Sequence, residues 1–177
     1  MRKTRDYRTG FSRCWEAMER IDKILNHELF ISCLKKNEEA EKDRIFCHHD
    51  MEHFLNVARI AEILNLEEQL RIPKVQIYAS ALLHDIGRYR QYEDGTPHEQ
   101  ASAQLAPQIL RECGFDENET CVILNAIASH RDVQVKEEPG LRGILYRADK
   151  LSRGCFACEA EHLCDWKKDK KNRTLRY

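Results

Sequence analysis

YASALLHDIGRYRQYEDGTPHEQASA, residues 78–103, is the stretch on which the fold of this chain turns. An apolar run ends on His84 and Asp85. Gly87 and Arg88 follow, then a polar loop, then His98. Imidazole and carboxylate are costly to bury, so their place at the end of an apolar stripe implies a compensating partner. A metal ion is the commonest one.

The surrounding chain supports a helical frame. Its 177 residues allow one domain with a sizeable core. With only 7 Gly and 4 Pro and a charged fraction of 33%, helices are favoured over sheets. Apolar spacing is helical throughout. Ile21, Ile24 and Leu25 mark a first helix; Leu29, Phe30, Cys33 and Leu34 mark a second, with Lys35 to Arg44 read as its solvated extension. Val57, Ile60, Ala61 and Leu64 share a stripe, and Pro73 suits the first turn of the helix carrying Ile77, Ala81 and Leu82. Thr96-Pro97-His98-Glu99 reads as a capping box opening a helix that Pro107 should kink and Gly114 should end. Asp116 and Glu119 form another cap-like pair before Val122, Ile123, Ala126 and Ile127. Leu141, Ile144, Leu145, Ala148 and Leu151 mark a last helix. The expected fold is an all-α, single-domain bundle of about six or seven helices.

Projected onto these helices, the polar residues gather. His53 precedes Val57 by four and Leu64 by eleven, at one end of the inward stripe. His84 follows Ile77 by seven, His130 follows Ile123 by seven, and Asp149 follows Leu145 by four. His98 lies in the first turn of its helix. A lone histidine on an apolar face is usually a satisfied core residue. Six donors near the ends of five helices are harder to attribute to chance. Nitrogen and oxygen donors without a thiolate suit Mn²⁺, Fe²⁺, Co²⁺, Ni²⁺ or Zn²⁺.

In this order, His53-Phe54-Leu55-Asn56-Val57-Ala58, Ala81-Leu82-Leu83-His84-Asp85-Ile86-Gly87-Arg88, His98-Glu99-Gln100-Ala101-Ser102-Ala103, Ala128-Ser129-His130 and Arg147-Ala148-Asp149-Lys150-Leu151 resemble the HD-domain superfamily of metal-dependent phosphohydrolases. The resemblance covers about residues 45–153. It implies that His53, His84, Asp85 and Asp149 hold a first divalent cation, that Asp85 bridges to a second, and that His98 and His130 hold that second ion. Among the binuclear members the chain is distantly similar to the small bacterial type that cleaves diadenosine tetraphosphate symmetrically. Two cations ~3.5–4 Å apart can lower the pKa of a shared water toward ~7 for attack on phosphorus. Asp85, Arg88 and Lys150 then form the candidate catalytic set. Arg88, His49 and Arg153 are candidate substrate contacts, with His49 placed on the helical face of His53, four residues on. Asp50 is read as a helix cap and His48 as exposed. The expected substrate is a small phosphorylated molecule, a nucleotide foremost. Because the ligands would be the same, an HD-fold di-iron oxygenase stays open, as does a metal-bearing regulatory or binding module with little turnover.

The ends of the chain read differently. Residues 1–44 form a helical extension on the 45–153 core, and 154–177 a basic, cysteine-containing tail. Arg2, Lys3, Arg5 and Arg8 at one end, and Lys167, Lys168, Lys170, Lys171 and Arg173 at the other, read as solvated. The net charge is −1, so no global field favours nucleic acid or membrane. No apolar segment suits export or a membrane span. Eight cysteines without an export signal point to a reducing cytoplasm and to metal binding rather than disulfides for clustered thiols. Cys155, Cys158 and Cys164 form such a cluster, fit for zinc or an iron–sulfur centre, with His162, Cys14 or Cys33 as a possible fourth ligand. A redox pair or free thiols packed on Trp166 are the alternatives. The remaining cysteines read as core residues.

Overall fold

The computed structural model describes residues 18–177, and the basic N-terminal run and Cys14 lie outside them. The helices are α1 (18–25), α2 (Glu28–Glu41), α3 (Met51–Glu67), α4 (Lys74–Leu83), α5 (Arg88–Glu93), α6 (His98–Glu112), α7 (Glu117–Ser129) and α8 (Leu141–Leu151). Among the described residues there is no strand, and no helix is long and apolar enough to cross a membrane. The fold is all-α, as the periodicity implied.

The core is one cluster. Phe54 of α3, Ile77 and Leu82 of α4, Ile123 and Ile127 of α7 and Ile144 of α8 are completely buried within it. Each such side chain contributes about 1.5–3 kcal/mol relative to exposure. Helix α3 packs on α4 and α8, and α7 packs on α6, α8 and α4. Short α5 bridges α6 and α2. This arrangement brings one end of each of α3, α4, α6, α7 and α8 to a common point.

Local signals explain most boundaries. The expected capping box at Asp116 and Glu119 is present, with each side chain accepting the other's backbone N–H. Gly114 ends α6 at φ +84, and the Phe115 N–H donates to Leu110 O at 3.0 Å. Two cap expectations fail. Pro97 and Pro73 precede α6 and α4 in extended backbone instead of forming their first turns. Thr96 caps nothing: its Oγ1 accepts from Arg90 Nη2 at 3.5 Å, and its N–H, which Glu99 would take in a capping box, donates to Asp94 Oδ1 at 2.9 Å. Helix α6 also runs through Pro107 to Glu112 without interruption.

The largest correction concerns α2. The charged run from Lys35 is not wholly solvated, since Asn37 and Glu41 are as buried as Phe30 and Cys33. They fall seven and eleven residues after Phe30, on the same stripe. Asn37 spends its amide on the turn that carries Asp85. Its Nδ2 donates to Asp85 O at 2.8 Å, and its Oδ1 accepts the Tyr89 N–H at 2.8 Å.

Candidate metal centre

Asp85 sits at the meeting point, in the turn between α4 and α5. Glycine is required two residues later. A Cβ on Gly87 would stand 2.5 Å from Ser102 N and 2.7 Å from Ala101 C, both in α6. The Gly87 N–H instead donates to Ser102 Oγ at 3.0 Å. This contact seats the α4–α5 turn directly on α6, within reach of His98.

Four expected histidines face Asp85 through Nε2. On Oδ2, His84 stands at 3.1 Å and His53 at 3.8 Å. On Oδ1, His98 stands at 3.3 Å and His130 at 3.4 Å. Asp149 Oδ1 lies 3.6 Å from His53 Nε2. Donor atoms of His53, His84, Asp85 and Asp149 all lie within 4.8 Å of one another, and so do those of Asp85, His98 and His130. The six residues read from the sequence are therefore gathered in one place, all buried except His53, whose side chain is 10% exposed.

The helix ends set the ring orientations. His84 and His130 cap the C-termini of α4 and α7. There the last carbonyls lack intrahelical donors. His84 Nδ1–H donates to Ala81 O at 2.7 Å and His130 Nδ1–H to Ile127 O at 2.6 Å. Each ring is thereby held in the tautomer whose Nε2 has a free lone pair. His53 and His98 sit at the opposite polarity, in the first turns of α3 and α6. His53 Nδ1 contacts Ser152 Oγ at 3.3 Å. His98 Nδ1 meets Gln91 Oε1 at 2.6 Å, with Arg88 Nη1 at 2.6 Å competing for the same nitrogen. With Nδ1 protonated, Gln91 is the acceptor and Nε2 stays free.

Metal binding can be tested on these atoms. His53 Nε2, His84 Nε2, His130 Nε2, Asp85 Oδ1 and Asp149 Oδ1 are buried and have no hydrogen-bond partner. Such groups ordinarily cost about 1–3 kcal/mol each when left unpaired. All five point into the same space, and a divalent cation would satisfy all of them. The cluster around Asp85 fits metal binding.

The electrostatics agree. Burial would raise the Asp85 carboxyl, but the His84 charge and the surrounding imidazoles hold it well below its usual range. Asp149 is likewise held low against burial, chiefly by Lys150 and Arg153. Burial drives His53 down and His98 down to about 3, which keeps both rings neutral and able to ligate. His84 is raised: burial opposes its charge, but the adjoining Asp85 outweighs it. The pocket thus draws positive charge to Asp85.

A ring of further groups surrounds the donors. Lys150 Nζ pairs with Asp149 Oδ2, and Arg153 Nη2 lies 3.7 Å from Asp149 Oδ1. Arg88 Nε lies 3.6 Å from Glu41 Oε1. His49 is not on the face of His53, because α3 begins at Met51 and Asp50 caps it, Oδ1 accepting the His53 N–H at 2.9 Å. His49 reaches the centre from the preceding loop instead. Its Nε2 stands 3.8 Å from Asp85 Oδ2, and its Nδ1 is held by Glu41 Oε1 at 2.7 Å. His48 is exposed. Asn37, Glu41, Gln91 and Ser152 were missed from sequence. For the first two the α2 stripe was the available signal.

The family model of the HD domain matches residues 50–154. The chain belongs to the HD-domain family. It is 46% identical over 160 residues to an uncharacterized protein of Clostridium beijerinckii, covering 90% of this chain and all of that one. It is also 33% identical over 84 residues to Ribonuclease Y 1 of Pediococcus pentosaceus, covering 46% of this chain and 14% of that protein. No solved structure matches significantly. The HD-domain match ends one residue before Cys155, so the cysteine tail lies beyond it.

The thiols form no part of the Asp85 centre. Cys155, Cys158 and Cys164 are half-buried, and every described cysteine is free. Cys33 is buried in the core and His162 is exposed, its Nδ1 on Glu159 O at 3.1 Å. Of the remaining cysteines, Cys113 is a core residue as expected, but Cys47 and Cys121 are exposed. Nor is the basic tail uniformly solvated. The Lys171 side chain is 7% exposed, donating to Glu161 O at 2.9 Å and Cys164 O at 3.0 Å.

Proposed function

We propose that this chain is a phosphohydrolase that cleaves a phosphate ester or anhydride of a nucleotide, using two divalent cations held around Asp85. The observation that carries this reading is the division of labour on Asp85. Its Oδ2 addresses His53 and His84 while its Oδ1 addresses His98 and His130. A carboxylate with each oxygen facing its own pair of imidazoles is placed to bridge. His53, His84, Asp85 and Asp149 would hold one ion, and Asp85, His98 and His130 the other. Bound there, the cations supply Lewis acidity and lower the pKa of water toward ~7.

The chain's own residues do the rest. The carbonyls of Ala81 and Ile127 keep His84 and His130 aimed at the centre. Lys150 occupies one oxygen of Asp149 and leaves Oδ1 to ligate. Arg88, whose Nε is buried without a hydrogen-bond partner, is placed to neutralise charge developing on a phosphoryl group. His49, oriented by Glu41, and Arg153 flank the same space and contact the substrate. The catalytic core is residues 45–153, with 1–44 as an extension that contributes Asn37 and Glu41, and 154–177 as a separate tail. The free thiols suit a cytoplasmic setting.

Purification without chelator, followed by metal analysis and a screen of phosphate release, tests the reading. Nucleotides, dinucleoside polyphosphates and sugar phosphates form the substrate arms. The dinucleoside arm probes the likeness to the symmetric diadenosine tetraphosphate hydrolases. Asp85→Ala is expected to lose bound metal and to lower turnover by about a hundredfold or more. Unchanged activity in that variant overturns the assignment. Oxygen consumption in place of phosphate release would establish oxygenase chemistry instead.

A further inference from the structure

Residues 154–177 pose a packing problem. The three short 3₁₀ turns there, Cys155–Ala157, Glu161–Leu163 and Lys168–Lys170, bury no residue. The exposure runs against the hydrophobic rule: Phe156 is 51% and Leu163 58% exposed, while Cys155, Cys158 and Cys164 are half-buried. A segment without an apolar core needs another staple to hold one path.

The backbone places the thiols in series. The Cys158 N–H donates to Cys155 O at 3.4 Å, the Glu161 N–H to Cys158 O at 3.1 Å, and the Cys164 N–H to Glu161 O at 3.3 Å. A three-residue step of this kind brings side chains i and i+3 to one side, which gathers Cys155 and Cys158 first. The tail then folds back, because Asn172 Nδ2 donates to Lys150 O at 2.7 Å and Arg153 O at 3.0 Å.

A fourth thiol arrives from elsewhere in the chain. Ser152 at the end of α8 touches His53 at the start of α3, so the loop entering α3 and the segment leaving α8 share one end of the bundle. Cys47 lies on that loop and Cys155 on that segment. Arg153, two residues before Cys155, is stacked 3.8 Å over the Trp166 ring. Cys47 is exposed as a residue, but partial burial of its thiol pushes it up, Arg153 opposes this, and Cys155 and Cys158 add to it, as close neighbours would.

We propose that Cys47, Cys155, Cys158 and Cys164 form a tetrathiolate metal site, separate from the Asp85 centre, that staples the tail to the loop carrying His49. Zinc and an iron–sulfur cluster share this ligand chemistry. Among the described residues only the two groups at Asp85 show three donors within 4.8 Å of one another. Metal–sulfur bonds supply the remaining closure, and each thiol that ligates releases its proton to solvent. Cys33 is excluded as fourth ligand by its burial in the core.

Cobalt substitution tests this independently of the hydrolase reading, because the Asp85 centre contains no sulfur. The full chain, stripped of metal under reducing conditions and loaded with Co²⁺, is expected to show thiolate-to-cobalt charge-transfer absorption. Cys47→Ser and Cys164→Ser are expected to lose most of it or to bind Co²⁺ at least about tenfold more weakly. Cys121→Ser, an exposed thiol elsewhere, keeps it. Far-UV circular dichroism checks that each variant is folded. Zinc retained by the purified Asp85→Ala chain and lost in Cys164→Ser, or iron with acid-labile sulfide and visible colour, distinguishes the two occupants, and either supports the site. Absence of the absorption in the unsubstituted chain overturns the proposal. Full absorption in Cys47→Ser overturns the assignment of the fourth ligand.

Discussion

Glu41 shows how a single residue is tuned by neighbours it gathers from other parts of the chain. It accepts from His49 Nδ1, the His49 N–H and the Tyr92 hydroxyl. Burial raises its pKa, but the hydrogen bond and charge of His49, with Tyr92 and the amide, outweigh it and hold the carboxyl at about 2 against an ordinary 4.5. The folded value is depressed, so the stabilisation is complete above pH ~4.5 and is lost as pH falls toward ~2. Its size is on the order of 3 kcal/mol. Glu41→Gln is therefore expected to flatten the acid side of the stability curve of the chelated chain between those limits. Urea unfolding at stepped pH measures it, and identical slopes for the two proteins would contradict it. Glu41 was legible only as a continuation of the α2 stripe, whereas His84 and Asp85 stood out. A histidine ending an apolar stripe is conspicuous. A glutamate within a run of lysines and glutamates is not, because its burial depends on what α5 and the 42–50 loop bring to it.

At the scale of elements, the centre depends on helix ends meeting, and Gly87 is where two of them are pressed together. Its missing side chain lets the turn after α4 rest on the α6 backbone at Ala101 and Ser102. Backbone cannot swing aside as a flexible side chain can. Gly87→Ala is expected to destabilise the chain by about 1–3 kcal/mol. It should also displace His98 relative to Asp85, weakening metal uptake at the Asp85–His98–His130 group about tenfold or more. Gly95→Ala serves as the comparison, since nothing lies within 4 Å of its Cβ and only its φ of +79 is strained. Equal effects of the two substitutions on metal titration would remove the packing explanation. Helix identity was well read from periodicity, because the stripes of α3, α4, α7 and α8 are continuous. Helix starts were read less well. Pro73 and Pro97 have the φ of a first helical residue, but their ψ values of 125 and 128 leave them outside the helix.

Across the whole molecule, the convergence of five helix ends would make a bound cation a structural element as well as a chemical one. Without it, five buried donor atoms lack partners at the junction of α3, α4, α6, α7 and α8. A cation that binds the folded chain and not the unfolded one stabilises it by mass action, about 2.7 kcal/mol at a hundredfold excess over Kd. In a chain of this size about 1 kcal/mol moves the midpoint by roughly 2–4 °C. Removing metal with chelator is therefore expected to lower the thermal midpoint by roughly 5–11 °C. Returning Mn²⁺, which prefers nitrogen and oxygen to thiolate donors, should restore it without occupying the cysteine site. Asp85→Ala removes the residue common to both donor groups and should show no Mn²⁺-dependent shift. Calorimetry with and without Mn²⁺ measures both proteins directly. A shift of the same size in Asp85→Ala would mean that the stabilising ion sits elsewhere and that the helix ends converge for packing alone.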